Sequence, residues 1–151
     1  MGARQVIHYM HDGDAALALG SYAGATAQYE SALTDGSLPS GLFPDAGPEA
    51  TAVVRAYARF KLVVAWAAAD DQATAGSHYS LLVEEHPQGT PGYPFALLGQ
   101  VFWSSLLADG DPWLACAAVT AAAQSDLAPA GMLYAGYGNP EYGPEGLCAL
   151  P

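Results

Sequence analysis

The chain has 151 residues, enough for one domain with its own core, and 52% of them are apolar while only 13% are charged. Fifteen acids face four basic residues, Arg4, Arg55, Arg59 and Lys61, for a net charge of −11. That balance excludes nucleic acid and anionic membrane surfaces as partners, because a row of phosphates would find almost nothing to neutralise it.

The first helical segment is read over residues 4–19 and carries Val6, Ile7, Tyr9 and Met10. Its start, "MGARQVIHYMHDGD", lacks the apolar core of a signal peptide, so export would make this chain a mature or excerpted segment. A break at Gly20-Ser21 follows, and then Tyr22, Ala25, Tyr29, Ala32 and Leu33 fall on one stripe of a second helix. Alanines on that stripe let a neighbouring helix come close, and the neighbour is the helix just before the break.

Residues 35–50, "DGSLPSGLFPDAGPEA", read as a loop from their Gly and Pro content. A long apolar helix over 49–69 comes next, then a polar turn at Asp70-Asp71. The same stripe returns at Gln72, Ala75, Tyr79, Leu82 and Val83. After a second loop at 88–94, a helix over 93–108 ends at Asp109-Gly110-Asp111. A third, weaker stripe runs Pro112, Ala115, Val119, Ala122, Ala123. No stretch is apolar enough to span a membrane: the longest run without Asp, Glu, Lys or Arg, residues 86–108, holds three prolines. The expected fold is therefore all-α, three antiparallel helical hairpins joined by short turns.

These hairpins resemble the tetratricopeptide repeat. Gly13 matches the small position of the family's first helix, Gly20 and Tyr22 match its turn, and Ala25, Tyr29 and Ala32 match its second helix. Leu62, Ala75, Tyr79 and Pro87 match in the second copy, and Ala115 and Ala122 in the third. Asp12 stands where a large apolar residue is usual, and Val63 and Trp103 replace small ones. The copies lie 50 and 40 residues apart, against about 34 in the family. The resemblance implies a right-handed α-solenoid of about three tetratricopeptide-like hairpins over residues 1–128, whose work is protein–protein contact.

The remainder, residues 129–151, is an irregular tail rich in Gly, Pro and Tyr, expected to pack on the last hairpin through Met132, Leu133, Tyr134, Tyr137, Tyr142 and Leu147. It resembles the ending of a tetratricopeptide-like module at the C-terminus of exported bacterial proteins, through Tyr137-Gly138, Asn139-Pro140-Glu141-Tyr142 and Pro144-Glu145-Gly146-Leu147-Cys148. That resemblance implies an extracellular or cell-surface location and favours a disulfide between Cys116 and Cys148. Two reduced thiols, or a bridge between two chains, are the alternatives.

Catalytic and metal chemistry finds little footing. Asp12-Gly13-Asp14 and Asp109-Gly110-Asp111 lack the further oxygen ligands of a calcium loop. The first triplet reads as an exposed helical face and the second as turn or capping chemistry. His8, His11, His78 and His86 have no zinc-ligand spacing. Ser77 beside His78 lacks a nucleophile elbow and an orienting acid. Arg55, Arg59 and Lys61 form the one basic cluster, expected to pair with surplus acids for about 0–1 kcal/mol per exposed pair. No cofactor or enzymatic activity is expected.

A stack of hairpins leaves an apolar face at each open end unless it is capped. Val6, Ile7, Tyr9 and Met10 mark one such face, Trp113 and Leu114 the other. The expected partner is a second copy of the chain, joined head to tail in a homo-oligomer, filament or tube. A monomeric peptide-binding adaptor and an accessory domain of a larger secreted protein are the competing readings.

Overall fold

Gly20, Asp70 and Gly110 stand in left-handed backbone, with φ of 78°, 64° and 69°, and each one stops a helix in the computed structural model of the chain. At Gly20 the amide of the following residue, Ser21, reaches back to the Ala16 carbonyl at 2.9 Å, while Gly20 itself donates to Leu17 at 3.0 Å. Asp71 to Trp66 and Asp70 to Ala67 repeat that pair of bonds, each at 3.0 Å. Both are Schellman closures, which satisfy the carbonyls that a helix end leaves bare. Gly110 uses the simpler form, a single bond to Leu106 at 2.7 Å.

A polar residue follows each left-handed one and opens the next helix. Asp71 accepts from the Thr74 amide at 3.0 Å, and Asp111 from the Trp113 amide at 2.9 Å, with Pro112 in the first turn where its missing N–H costs nothing. The stop-then-start pair thus recurs at 20–21, 70–71 and 110–111. It divides the chain into hairpins without any tertiary help.

Residues 6–34, 48–130, 148 and 150 are described, and among them every regular element is helical. The elements are α1 (Val6–Ala18), α2 (Tyr22–Thr34), α3 (Pro48–Ala68), α4 (Gln72–Glu85), α5 (Tyr93–Asp109) and α6 (Pro112–Gln124), and the chain turns helical again at 128–130. Each expected helix is present, with ends within two residues of those read from the sequence. Most of the first loop and the tail's six apolar anchors lie outside the described residues.

Helices α1 and α2, α3 and α4, and α5 and α6 pack as hairpin pairs. Further contacts join α2 to α3, α4 to α5, and α3 to both α5 and α6. Helix α3 is the centre. Residues 56–58 and 60–65 are all buried, so this helix is enclosed on every side instead of carrying one apolar stripe. Tyr57 stacks on Phe95 of α5 with ring centroids 5.2 Å apart, and Tyr79 of α4 stacks on Trp103 at 5.2 Å. No helix among the described residues is long and apolar enough to cross a membrane.

Candidate functional site

Met10, Gly13, Asp14 and Leu17 follow the i, i+3, i+4, i+7 spacing of a core-facing stripe, and all four are buried. Gly13 is there because of Tyr29: a Cβ at this position would come within 2.5 Å of the Tyr29 ring. The bare backbone lets the ring come close against α1 and brings its hydroxyl to the next residue, Asp14. Tyr29 donates to Asp14 Oδ1, and Tyr57 of α3 donates to Oδ2 at 3.3 Å.

Lys61 of α3 completes the cluster. Its ammonium lies 3.3 Å from Asp14 Oδ1, and neither side chain is exposed at all. It also donates to the backbone carbonyl of Cys148 at 2.9 Å and sits 5.8 Å from the centre of the Tyr29 ring. Desolvation draws the Lys61 pKa below the ordinary lysine value, opposed by the charge and hydrogen bond of Asp14. Four chain segments therefore converge on one buried charge pair.

This corrects two expectations. The face bearing Asp12-Gly13-Asp14 is not exposed throughout: Asp12 is at the surface, but Gly13 and Asp14 are inside. Nor is Lys61 a surface partner of loose acids, since its pair is fully enclosed. The sequence signal for both was the same. An acid on an otherwise core-facing stripe, and one lysine inside the apolar run 60–65, each mark a charge that needs a partner wherever the helix is buried, though neither names that partner.

The rest of the basic cluster behaves differently. Arg59 Nη1 bonds His78 Nδ1 at 3.1 Å, and its Nη2 lies 3.6 Å from Glu85. His78 Nε2 lies 3.6 Å from Glu30 of α2. Because a guanidinium can only donate, His78 Nδ1 must accept, which places the ring proton on Nε2 facing Glu30. Arg55 donates to the Leu33 carbonyl at the end of α2 at 3.2 Å. These groups staple α2 and α4 to α3.

The residues expected to pack the repeats differ in their surroundings. Ala25, Tyr29, Leu62, Ala75 and Ala115 are wholly buried, and Ala32 nearly so. Tyr22, Tyr79 and Ala122 are half-buried against the core, Gly20 forms its turn, and Pro87 is exposed just after α4. Cys116 of α6 and Cys148 are joined in a disulfide, with Cα atoms 5.7 Å apart. Of the residues expected to face another copy, Trp113 and Leu114 are 42% and 54% exposed, and Leu107 across the same turn is 59% exposed. Met10 belongs to the core, Tyr9 packs against it, and the side chains of Val6 and Ile7 lie outside the described residues.

Other chemistry is sparse. Ser77 donates to the Ala73 carbonyl of its own helix at 3.3 Å, not to His78. Among the described residues no group of three or more His, Cys, Asp or Glu side chains is placed to hold a metal ion. No family model, curated protein or solved structure matches this chain.

Proposed function

We propose that this chain is a non-enzymatic, tetratricopeptide-like interaction module, a right-handed solenoid of three hairpins that associates with copies of itself outside the cell. One observation carries the reading. Leu107, Trp113 and Leu114 crowd the turn end of the α5–α6 hairpin, and all three are exposed. Large apolar side chains gathered at one end of a hairpin stack are what a contact between stacks would bury. A low charge density adds support, because only 13% charged side chains offer little to hold such ends apart. The cysteine pair is the one pointer to an oxidising, extracellular setting.

Met10 and Tyr9 are turned to the core, Val6 and Ile7 have side chains outside the described residues, and Leu19 at the α1–α2 turn is 85% exposed. The α5–α6 turn, with three exposed apolar side chains, is the half of the proposed contact that the described residues define best. Sedimentation or light scattering together with negative-stain microscopy tests the reading: ordered assemblies support it, and a clean 15.5 kDa monomer at high concentration removes it. A monomer that captures peptides would leave the adaptor reading in its place.

A further inference from the structure

Charge is spread unevenly over the three hairpins. Asp12 and Glu30 are exposed on α1 and α2, and Glu84 and Glu85 on α4. Over residues 93–125 the only charged side chains are Asp109 and Asp111, both at the α5–α6 turn. Helix α6 itself, PWLACAAVTAAAQ, carries no charged side chain at all. In a chain of net charge −11, its surface is where a second copy meets the least like-charge repulsion.

The face it offers is well defined. Ala115, Cys116 and Val119 are buried and set the inner side of α6. Leu114, Ala117, Ala121 and Gln124, at steps of three, four and three, line the other side, and all are exposed. Cys116 holds Cys148 from the buried side, so the bridge itself lies away from this stripe. Alanines add no bulk, and a helix laid on them can approach to an axial separation of about 8 Å. The large side chains gather at one end, with Trp113 and Leu114 in the first turn and Leu107 across from them. The other end is small and neutral.

We infer that α6 pairs with α6 of a second copy across a two-fold axis, the two helices antiparallel, so that Leu114 of each copy lies over Ala121 of the other and the assembly closes at two chains. This rests on the self-association proposed above and adds its partner surface and symmetry. A two-fold contact uses the same patch twice, and the antiparallel arrangement sets the bulky end of each stripe against the small end of its mate. A head-to-tail contact would instead lay α6 on the α1–α2 end, desolvating exposed Asp12 against a helix with no positive charge. Asp109 and Asp126 flank the paired stripes at opposite ends and approach each other at the rim, so salt should tighten the dimer by screening them.

Sedimentation equilibrium of the full chain tests the pairing. The parent should show a monomer–dimer equilibrium that stops at two chains of 15.5 kDa and strengthens with salt. Ala117→Glu/Ala121→Glu and Ala117→Lys/Ala121→Lys change exposed positions, so both should keep the helical circular dichroism of the parent. Each alone should dimerise more weakly by on the order of a hundredfold, because like charges would face each other. Mixed in equal amounts, the two variants should recover a dimer, since opposite charges then meet across the axis. A head-to-tail contact cannot give that recovery, because it sets the changed helix against an unchanged surface. Three results overturn the pairing while self-association stands: unaltered dimerisation by the variants, weakening without recovery on mixing, or growth beyond two chains. A parent that stays monomeric at every concentration overturns both the pairing and the function it rests on, whether α6 is then covered by another part of the chain or by a different protein.

Discussion

Lys61 on α3 and Asp14 on α1 form a charge pair 3.3 Å apart that no solvent reaches, and two tyrosine hydroxyls bind the carboxylate from α2 and α3. An enclosed pair of this kind contributes little net stability compared with a well-packed apolar pair, but removing one member strands the other. Asp14→Asn should therefore cost about 3–5 kcal/mol in urea unfolding, because it leaves the ammonium buried without a counter-charge. Lys61→Met should cost less, since the carboxylate keeps both phenol donors. The double variant Asp14→Leu/Lys61→Met should cost less than the two single changes together. A loss under about 1 kcal/mol for Asp14→Asn would mean the pair is hydrated.

Close packing sets the second expectation. A methyl group at Gly13 meets the Tyr29 ring at 2.5 Å, and the ring cannot withdraw without breaking its bond to Asp14. Gly13→Ala should cost about 1–3 kcal/mol, and Ala75→Leu, at a wholly buried contact, a similar amount. Thermal melts that leave both variants unchanged would contradict the hairpin contacts described above.

The turns give a change in the opposite direction. Asp70 holds φ 64° in the second turn, where the other two hairpins place glycine. Asp70→Gly should stabilise the fold by about 0.5–1 kcal/mol by relieving left-handed strain, while Gly20→Ala should destabilise it by about 1 kcal/mol. Matched urea curves decide whether the two substitutions have opposite signs.

Acid should loosen the α2–α3–α4 staple. Desolvation lowers the pKa of both His78 and His86. Arg59 adds to the effect at both rings and Arg55 at His86, against the pull of Glu30 on His78 and Glu85 on His86. In the unfolded chain these rings take up protons near pH 6.5, and in the fold only at lower pH. Just below pH 6.5 the unfolded state thus binds more protons, so this contribution to stability is whole above that pH and is lost as pH falls. Protonation also turns His78 Nδ1 into a donor facing a guanidinium, which removes the Arg59 bond. Melting temperature should fall between neutral pH and pH 5, and a His78→Gln/His86→Gln variant should show a shallower slope. An equal slope assigns the acid sensitivity to other groups.

The proposed assembly has its own variant. Leu107→Glu/Leu114→Glu adds two charges at exposed positions of the α5–α6 turn, so the monomer fold should be within about 0.5 kcal/mol of the parent. Self-association should weaken strongly, because those charges would have to be desolvated between copies. Undiminished assembly by this variant would place the contact elsewhere.

The sequence by itself determined the helices and their turns. Stripes beginning at Tyr22, Gln72 and Pro112 are local patterns, and Gly20-Ser21, Asp70-Asp71 and Gly110-Asp111 stop one helix and cap the next through bonds that span a single turn. Periodicity also placed Ala25, Ala75 and Ala115 at buried contacts, because one face of a helix is fixed by the spacing of its residues. Tertiary structure alone decided what the exceptions to the pattern were for. Asp14 sits on a core stripe and Lys61 in an apolar run, and neither local setting says whether the charge is exposed, paired or stranded. Their partnership exists only because α1 and α3 converge around Gly13 and Tyr29, and because a disulfide to α6 brings Cys148 within reach of the ammonium. Such long-range pairings carry no sequence period, so desolvation and hydrogen-bond demand could reveal them only once the helices were packed.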